Sequence, residues 1–160
     1  MRTLALLSLV IGCGGSASEQ PPPPPLMGDA ETPPTGTQAE LDAWLAAGSY
    51  KSWRCEPAPH AARPGSGHSA NRICTNARQS THTGTAAFPV GSAAVKELFD
   101  GDGVLEGYGV YVRAADGDGG EKRFWYERIG SSVIALGFGH TTCIGCHAGA
   151  PKDFVFTVIP

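Results

Sequence analysis

The sequence predicts an α+β fold with a predominantly antiparallel β-sheet and peripheral helices, and three observations lead to this prediction. Short β-like runs alternate with turns rich in glycine and aspartate through the C-terminal half. One segment before them has the apolar spacing of a helix. The 160 residues, of which 41% are hydrophobic, suffice for one modest core with appendages. Together these features are typical of a small domain whose strands are joined by tight turns.

The predicted folded part begins with a helix at Thr37. Thr37 and Glu40 have the spacing of a capping box, in which two side chains satisfy backbone N–H groups of the first turn. Leu41 and Leu45 fall on one helical face, and Gly48 is a natural C-terminal stop. We therefore expect one short helix between these two signals.

Two aromatic residues after this helix, Tyr50 and Trp53, are interpreted as core residues rather than as ligands. The prolines and glycines of 55–67 predict a loop, in which His60 and His68 lie.

Four β-like runs carry the predicted sheet, and a hairpin-type turn is expected at 116–120 between the last two. Asp100 and Asp102 lie among glycines, but the segment lacks the twelve-residue ligand pattern of a calcium loop, so a tight turn is predicted there. The four predicted strands are 71–76, 93–99, 108–113 and 123–129.

The N-terminal segment 1–12 has the features of a lipoprotein signal peptide. Arg2 supplies a positive charge, 4–11 is an apolar run too short to cross a bilayer, and Cys13 follows a glycine. This order resembles the lipobox of bacterial lipoproteins, whose cysteine is diacylated. We expect an exported protein, lipid-anchored at Cys13 on the periplasmic side or at the cell surface, and Gly14 favours the outer membrane. The alternative is an ordinary secretory signal with an incidental cysteine.

The segment 13–36 is predicted to be a proline-rich linker, and 37–160 to be the domain. Five consecutive prolines at 21–25 favour an extended polyproline II spacer that holds the domain away from a membrane. A polyproline-binding partner is the alternative. The formal net charge of −3 gives no basic surface of the kind that binds nucleic acid.

The segment 143–147, Cys-Ile-Gly-Cys-His, has the spacing of c-type haem attachment. In such a motif the thiols of Cys143 and Cys146 add to the haem vinyl groups, and His147 becomes the proximal ligand of the iron. The sequence therefore predicts one covalent haem c. A thioredoxin-like redox motif would need a βαβ context, and a zinc site would need a second ligand pair.

The remaining cysteines, Cys55 and Cys74, are predicted to form a disulfide, because export leads to an oxidising compartment. Two free buried thiols are the alternative.

The sixth position of the iron is expected to be open. The two methionines are Met1, in the predicted signal peptide, and Met27, in the predicted linker, so a His/Met electron carrier is not expected. A bis-histidine site is the alternative. The histidines that would then supply the distal ligand are His60, His68, His82 and His140.

Several of these segments resemble the cytochrome P-460 family. The segment 88–98 is similar to that family's P-x-G-x-x-x-x-K-E segment, and 143–147 followed by 153–157 is similar to its ending. The resemblance covers roughly residues 38–159. Further similarity lies at Tyr50, Trp53, 72–76, Trp125 and Tyr126.

The resemblance implies an antiparallel β-rich fold, usually dimeric, around one haem with an open distal site. In cytochrome P-460 a lysine is also bonded to the porphyrin edge, and the matching residue here is Lys96. Those enzymes oxidise hydroxylamine, alone or with nitric oxide, whereas the related cytochromes c′-beta bind gases. Catalytic members place a carboxylate above the iron, but the corresponding stretch 109–114 contains no acid, and Glu106 and Asp116 only flank it.

Three functions follow from the sequence. The first is redox chemistry on a small nitrogen species such as hydroxylamine or nitric oxide at an open haem iron. The second is a non-enzymatic haem protein that binds a diatomic gas or exchanges electrons with an electron-transfer protein. The third is a haem-free module whose 143–147 motif holds a disulfide or a metal. The other expected partners are the membrane, through the lipid anchor, and a second copy of the chain.

Overall fold

The structure, a computed structural model of the chain, describes residues 23, 28, 30–157 and 159. The predicted signal peptide, Cys13 and most of the predicted linker lie outside the described residues. Within the described part, no helix is long and apolar enough to cross a membrane. The elements are α1 (Gln38–Ala47), β1 (Arg54–Cys55), β2 (Ala70–Thr75), α2 (Ala77–Ser80), β3 (Ala93–Phe99), β4 (Leu105–Arg113), β5 (Arg123–Ile129), β6 (Ser132–Phe138) and α3 (Thr141–His147).

The six strands form one antiparallel sheet in the chain order β1 to β6. This confirms the predicted α+β class, an antiparallel sheet with peripheral helices. The bounds of β3 and β5 are those predicted, whereas β4 starts three residues earlier than 108. Strands β1 and β6 and helices α2 and α3 were not predicted.

Helix α1 has the predicted caps. The Thr37 hydroxyl accepts a hydrogen bond from the Glu40 backbone N–H, and the Glu40 carboxylate accepts one from the Thr37 N–H. The helix ends at Gly48, whose φ of 71° is a left-handed conformation that costs glycine little. Leu41 and Leu45 are buried, as their spacing predicts.

The predicted disulfide between Cys55 and Cys74 is present and joins paired positions of β1 and β2. The disulfide covalently links the two-residue edge strand β1 to its neighbour β2. The predicted tight turn is also present, with Asp100 Oδ1 accepting hydrogen bonds from the backbone N–H groups of Asp102 and Val104.

Packing begins before the predicted start of the domain at Thr37. Residues 32–35 are buried. The Trp53 indole donates to the Ala30 carbonyl at 2.9 Å, and the Asn76 amide donates to the Glu31 carbonyl at 2.6 Å. The last residues of the proline-rich segment therefore pack against the domain.

The sheet separates two apolar clusters, because alternate residues of a strand point to opposite faces. The first lies between the sheet and α1, and includes Tyr50 and Trp53, which confirms that both are core residues. The second lies on the face that carries α3 and the C-terminal segment. It contains Phe88, Tyr111, Trp125 and Val155, with Cys143, Ile144 and Phe154 packed against them.

Candidate functional site

A cavity of about 280 Å³ lies on the α3 face of the sheet. Cys143, Cys146 and His147 line it, and so does Lys96. The structure therefore brings to one cavity all four residues that the sequence selects for cofactor attachment. Much of its wall is aromatic or aliphatic, from Ile73, Tyr111, Trp125, Phe154, Val155 and Phe156.

Helix α3 places the attachment residues together. Positions 143, 146 and 147 are three and four residues apart, so their side chains lie on one helical face. Neither Cys143 nor Cys146 is in a disulfide. Burial raises the pKa of the Cys143 thiol to about 11, and the charge of Glu127 contributes. Cys143 is therefore a protonated thiol near neutral pH, and the exposed Cys146 lies at the cavity edge.

The ring of His147 is oriented by a backbone carbonyl. Its Nδ1 lies 2.7 Å from the carbonyl oxygen of Phe154. A carbonyl can only accept, so Nδ1 carries the proton and Nε2 of the neutral ring has a free lone pair. Burial lowers the pKa of His147, which favours this neutral form. The rings of Trp125 and Phe156 pack against it with centroids 4.8 and 5.4 Å away.

The Phe154 carbonyl is held by an unusual turn. Asp153 and Phe154 have φ angles of 46° and 64°, which non-glycine residues rarely adopt. The Asp153 carboxylate, with 1% of the side chain exposed, lies between the guanidinium groups of Arg113 and Arg123. The Tyr111 hydroxyl donates to the Asp153 carbonyl at 3.0 Å. A buried ion cluster thus fixes the turn that orients His147.

Lys96 belongs to a row across the sheet. It pairs with Gly109 of β4, which in turn pairs with Glu127 of β5, so the three positions share one face. Gly109 leaves open space between the two charged side chains, because it has no side chain. Burial lowers the pKa of Lys96 below its ordinary value, although the charge of Glu127 opposes this. Its neighbour Glu97 points to the opposite face, where the Tyr50 hydroxyl donates to it at 2.7 Å.

Glu127 is a cavity residue that the sequence analysis missed. The stretch 109–114 contributes no acid, and the carboxylate that lines the cavity comes from the next strand, β5. The flanking acids are elsewhere, since Glu106 accepts a hydrogen bond from Ser69 and Asp116 is 92% exposed beside Arg113. The pairing of Gly109 with Glu127 is the signal that could have found it, because it follows from the register of the β4–β5 hairpin.

The four candidate distal histidines divide into two groups. His60 and His68 line the cavity, whereas His82 and His140 do not. His82 Nε2 lies 3.1 Å from the Ala86 carbonyl, and His140 precedes α3.

The donor set fits a c-type haem. Two free thiols and a histidine with a free Nε2 lie on one face of one helix, against an apolar wall. Among the described residues, no group of three or more His, Cys, Asp or Glu side chains is arranged to hold a metal ion. A haem brings four nitrogen ligands of its own. Comparison of the chain with protein-family models, with curated proteins and with solved structures found no significant match.

Proposed function

We propose that this protein is an exported, lipid-anchored c-type cytochrome that performs redox chemistry on a small nitrogen species such as hydroxylamine or nitric oxide. One haem would be attached through Cys143 and Cys146 and coordinated by His147. The observation that carries the proposal is the meeting of both thiols and the free Nε2 of His147 at one largely apolar cavity. The order of apolar run, glycine and Cys13 supports the lipid anchor.

The thiols need no oxidant to attach the cofactor. Each S–H adds across one vinyl C=C bond, so a carbon–sulfur bond forms and the hydrogen goes to the other vinyl carbon. Cys143 and Cys146 then hold the group beside His147, whose hydrogen bond to Phe154 makes its Nε2 a better electron donor. When bound, the haem supplies a redox-active iron that takes electrons from the small nitrogen molecule.

Glu127 supplies the group that the reaction needs besides the iron. Removing electrons from hydroxylamine also releases protons, and a carboxylate in the cavity can accept them. The hydrogen bond to Glu127 Oε1 from His68 Nδ1, 3.3 Å long, keeps the carboxylate oriented within the cavity.

Lys96 is proposed as a second covalent link, to the porphyrin edge. Its position in the cavity and its lowered pKa, which increases the fraction of neutral amine, support this assignment. Such a carbon–nitrogen bond forms with loss of two electrons and two protons, so it requires an oxidant such as a peroxide. The similarity of 88–98 to the cytochrome P-460 segment supports the same residue, and the antiparallel sheet supports a P-460-like fold.

A non-enzymatic haem protein that binds a diatomic gas or transfers electrons is the second candidate. The aromatic side chains of Tyr111, Trp125 and Phe156 favour it, because such walls suit an apolar gas better than a polar substrate.

Hydroxylamine oxidation by the haem-loaded protein, measured with an artificial electron acceptor, separates the two candidates. We expect turnover in the wild type and a loss of about 100-fold or more in Glu127→Gln, because a general base contributes about 10²–10⁴-fold. Glu106→Gln, outside the cavity, is the matched control. Haem-loaded protein that binds nitric oxide but does not oxidise hydroxylamine would favour gas binding instead.

A further inference from the structure

We propose that His68 is a second, displaceable ligand of the haem iron, so that the iron is closed at rest and opens when a small molecule displaces His68. This inference rests on the haem attachment proposed above. It concerns the regulation of that site, since the open position expected from the sequence would exist only after His68 has left.

Among the cavity histidines other than His147, the hydrogen bonds leave only His68 with a ring nitrogen available to bind a metal. All five histidines lie within the described residues, and only His60, His68 and His147 line the cavity. Both ring nitrogens of His60 are engaged, Nδ1 with the Ala61 carbonyl at 2.7 Å and Nε2 with Glu56 at 3.0 Å. His68 uses only Nδ1, and the described residues provide no hydrogen-bond partner for its Nε2.

The separation of His68 from His147 suits a shared metal. Their ring centroids are 6.3 Å apart, with an angle of 72° between the ring planes. Two imidazoles that bind one metal ion through nitrogens at about 2 Å each have ring centres roughly 6 Å apart. The separation of the two ring centroids would therefore allow one metal ion to be bound by both rings.

Both histidines show the hydrogen-bond pattern of metal ligands. A metal-bound histidine almost always donates its other N–H to a carboxylate or a carbonyl, which fixes the tautomer and the ring orientation. The Nδ1 of His147 meets the Phe154 carbonyl, and the Nδ1 of His68 meets the Glu127 carboxylate at 3.3 Å. Each ring thus leaves Nε2 available.

The two histidines differ in how firmly they are held. His147 belongs to α3 and lies next to an attachment cysteine. His68 lies in the loop that leads into β2, close to Gly65 and Gly67, and its backbone N–H bonds only to the Ser66 hydroxyl at 3.1 Å among described partners. The loop is closed at its base by the paired backbone hydrogen bonds of His60 and Asn71. His68 can therefore leave the iron while the sheet stays in place.

The optical and electron paramagnetic resonance spectra of the ferric, haem-loaded full chain test this inference. We expect a low-spin spectrum in the wild type and a high-spin spectrum in His68→Ala, with added imidazole restoring the low-spin form. The rate of carbon monoxide binding to the reduced protein should rise about tenfold or more in His68→Ala, because His68 no longer occupies the iron. A tenfold change corresponds to about 1.4 kcal/mol. His60→Ala, at the other cavity histidine, should keep the wild-type spectrum.

A second variant, His68→Met, keeps the test informative if His68→Ala does not fold. His68→Met should remain low-spin but acquire the features of a His/Met haem, because a thioether would replace the imidazole. A high-spin wild type, or a low-spin spectrum that persists in His68→Ala, would overturn the assignment of His68 while leaving the proposed function intact. A denatured chain without covalent haem would overturn the proposed function and this inference together.

Discussion

The Nδ1 of His147 lies 2.7 Å from the carbonyl oxygen of Phe154, and this hydrogen bond joins helix α3 to the C-terminal turn. The turn is held by the carboxylate of Asp153, which is buried between two guanidinium groups. The orientation of the histidine that would bind the iron therefore depends on a charge cluster outside the cavity. This relationship connects the stability of the domain to its chemistry.

Replacing Asp153 tests the cluster. Asp153→Ala would leave Arg123, 1% exposed, and Arg113, 8% exposed, without their buried counter-charge. We expect the free energy of unfolding to fall by about 3–5 kcal/mol, the usual cost of breaking a buried ion pair. Urea unfolding of the haem-free protein measures it.

Asp116→Ala is the matched control. Asp116 also contacts Arg113, at 3.6 Å, but its side chain is 92% exposed. Its removal should cost no more than about 1 kcal/mol. Equal losses in the two variants would show that burial of the Asp153 cluster is not what stabilises the turn.

The Cys55–Cys74 disulfide should contribute measurably to stability. The two cysteines are 19 residues apart, and closing a loop of this length reduces the entropy of the unfolded chain. We expect reduction to lower the free energy of unfolding by about 3 kcal/mol. A double variant, Cys55→Ser with Cys74→Ser, should be equally destabilised and insensitive to reductant. A urea unfolding midpoint of the wild type that does not change when reductant is added would argue against the Cys55–Cys74 disulfide.

Lys96 should give the domain a pH dependence of known sign. Its pKa is lowered in the folded state, so between that value and the ordinary lysine value of about 10.4 the unfolded chain binds more protons. Stability at this site therefore rises with pH across that interval. Relative to Lys96→Met, the haem-free wild type should gain stability as the pH rises toward about 10. Lys51→Met, at an exposed lysine, is the control, and a constant difference between wild type and Lys96→Met would refute the lowered pKa.

Gly109 should be needed for the space in the cavity. A Cβ added there would lie 3.7 Å from the Lys96 Cβ, so a small side chain is tolerated but a longer one would extend between Lys96 and Glu127. Overpacking costs about 1–3 kcal/mol, so the haem-loaded fraction of Gly109→Leu should fall clearly below that of the wild type. Gly101→Ala, outside the cavity and where an added Cβ meets nothing within 4 Å, should load normally. Normal loading of Gly109→Leu would place the haem elsewhere.

Local signals predicted the elements that depend on local interactions. The caps at Thr37 and Gly48 bound α1 because each is a side-chain or backbone preference within one turn. Strand β1 has only two residues and exists through its pairing with β2, so no local pattern reveals it. Strand β6, whose sequence is nearly continuously apolar and lacks polar residues at alternate positions, was not predicted.

The candidate site divides in the same way. The motif at Cys143, Cys146 and His147 is readable because its three members are adjacent in sequence. Glu127 comes from β5 and His68 from a loop before β2. The two residues are 59 positions apart in sequence and come into contact only when the sheet has formed. The burial of Lys96 likewise depends on packing across strands. The sequence shows the spacing of residues within one segment, but it does not show which distant segments lie close together in the fold.

The mass of the denatured chain is the most direct test of covalent haem attachment. The full chain should be produced in an exporting bacterium with haem-maturation machinery, alongside a variant with Cys143→Ala and Cys146→Ala. We predict that the wild-type polypeptide retains one haem after denaturation and that the variant retains none. A wild-type mass equal to that of the bare processed chain, or lower by only the two hydrogens of a disulfide, would contradict the proposal that this protein is a c-type cytochrome.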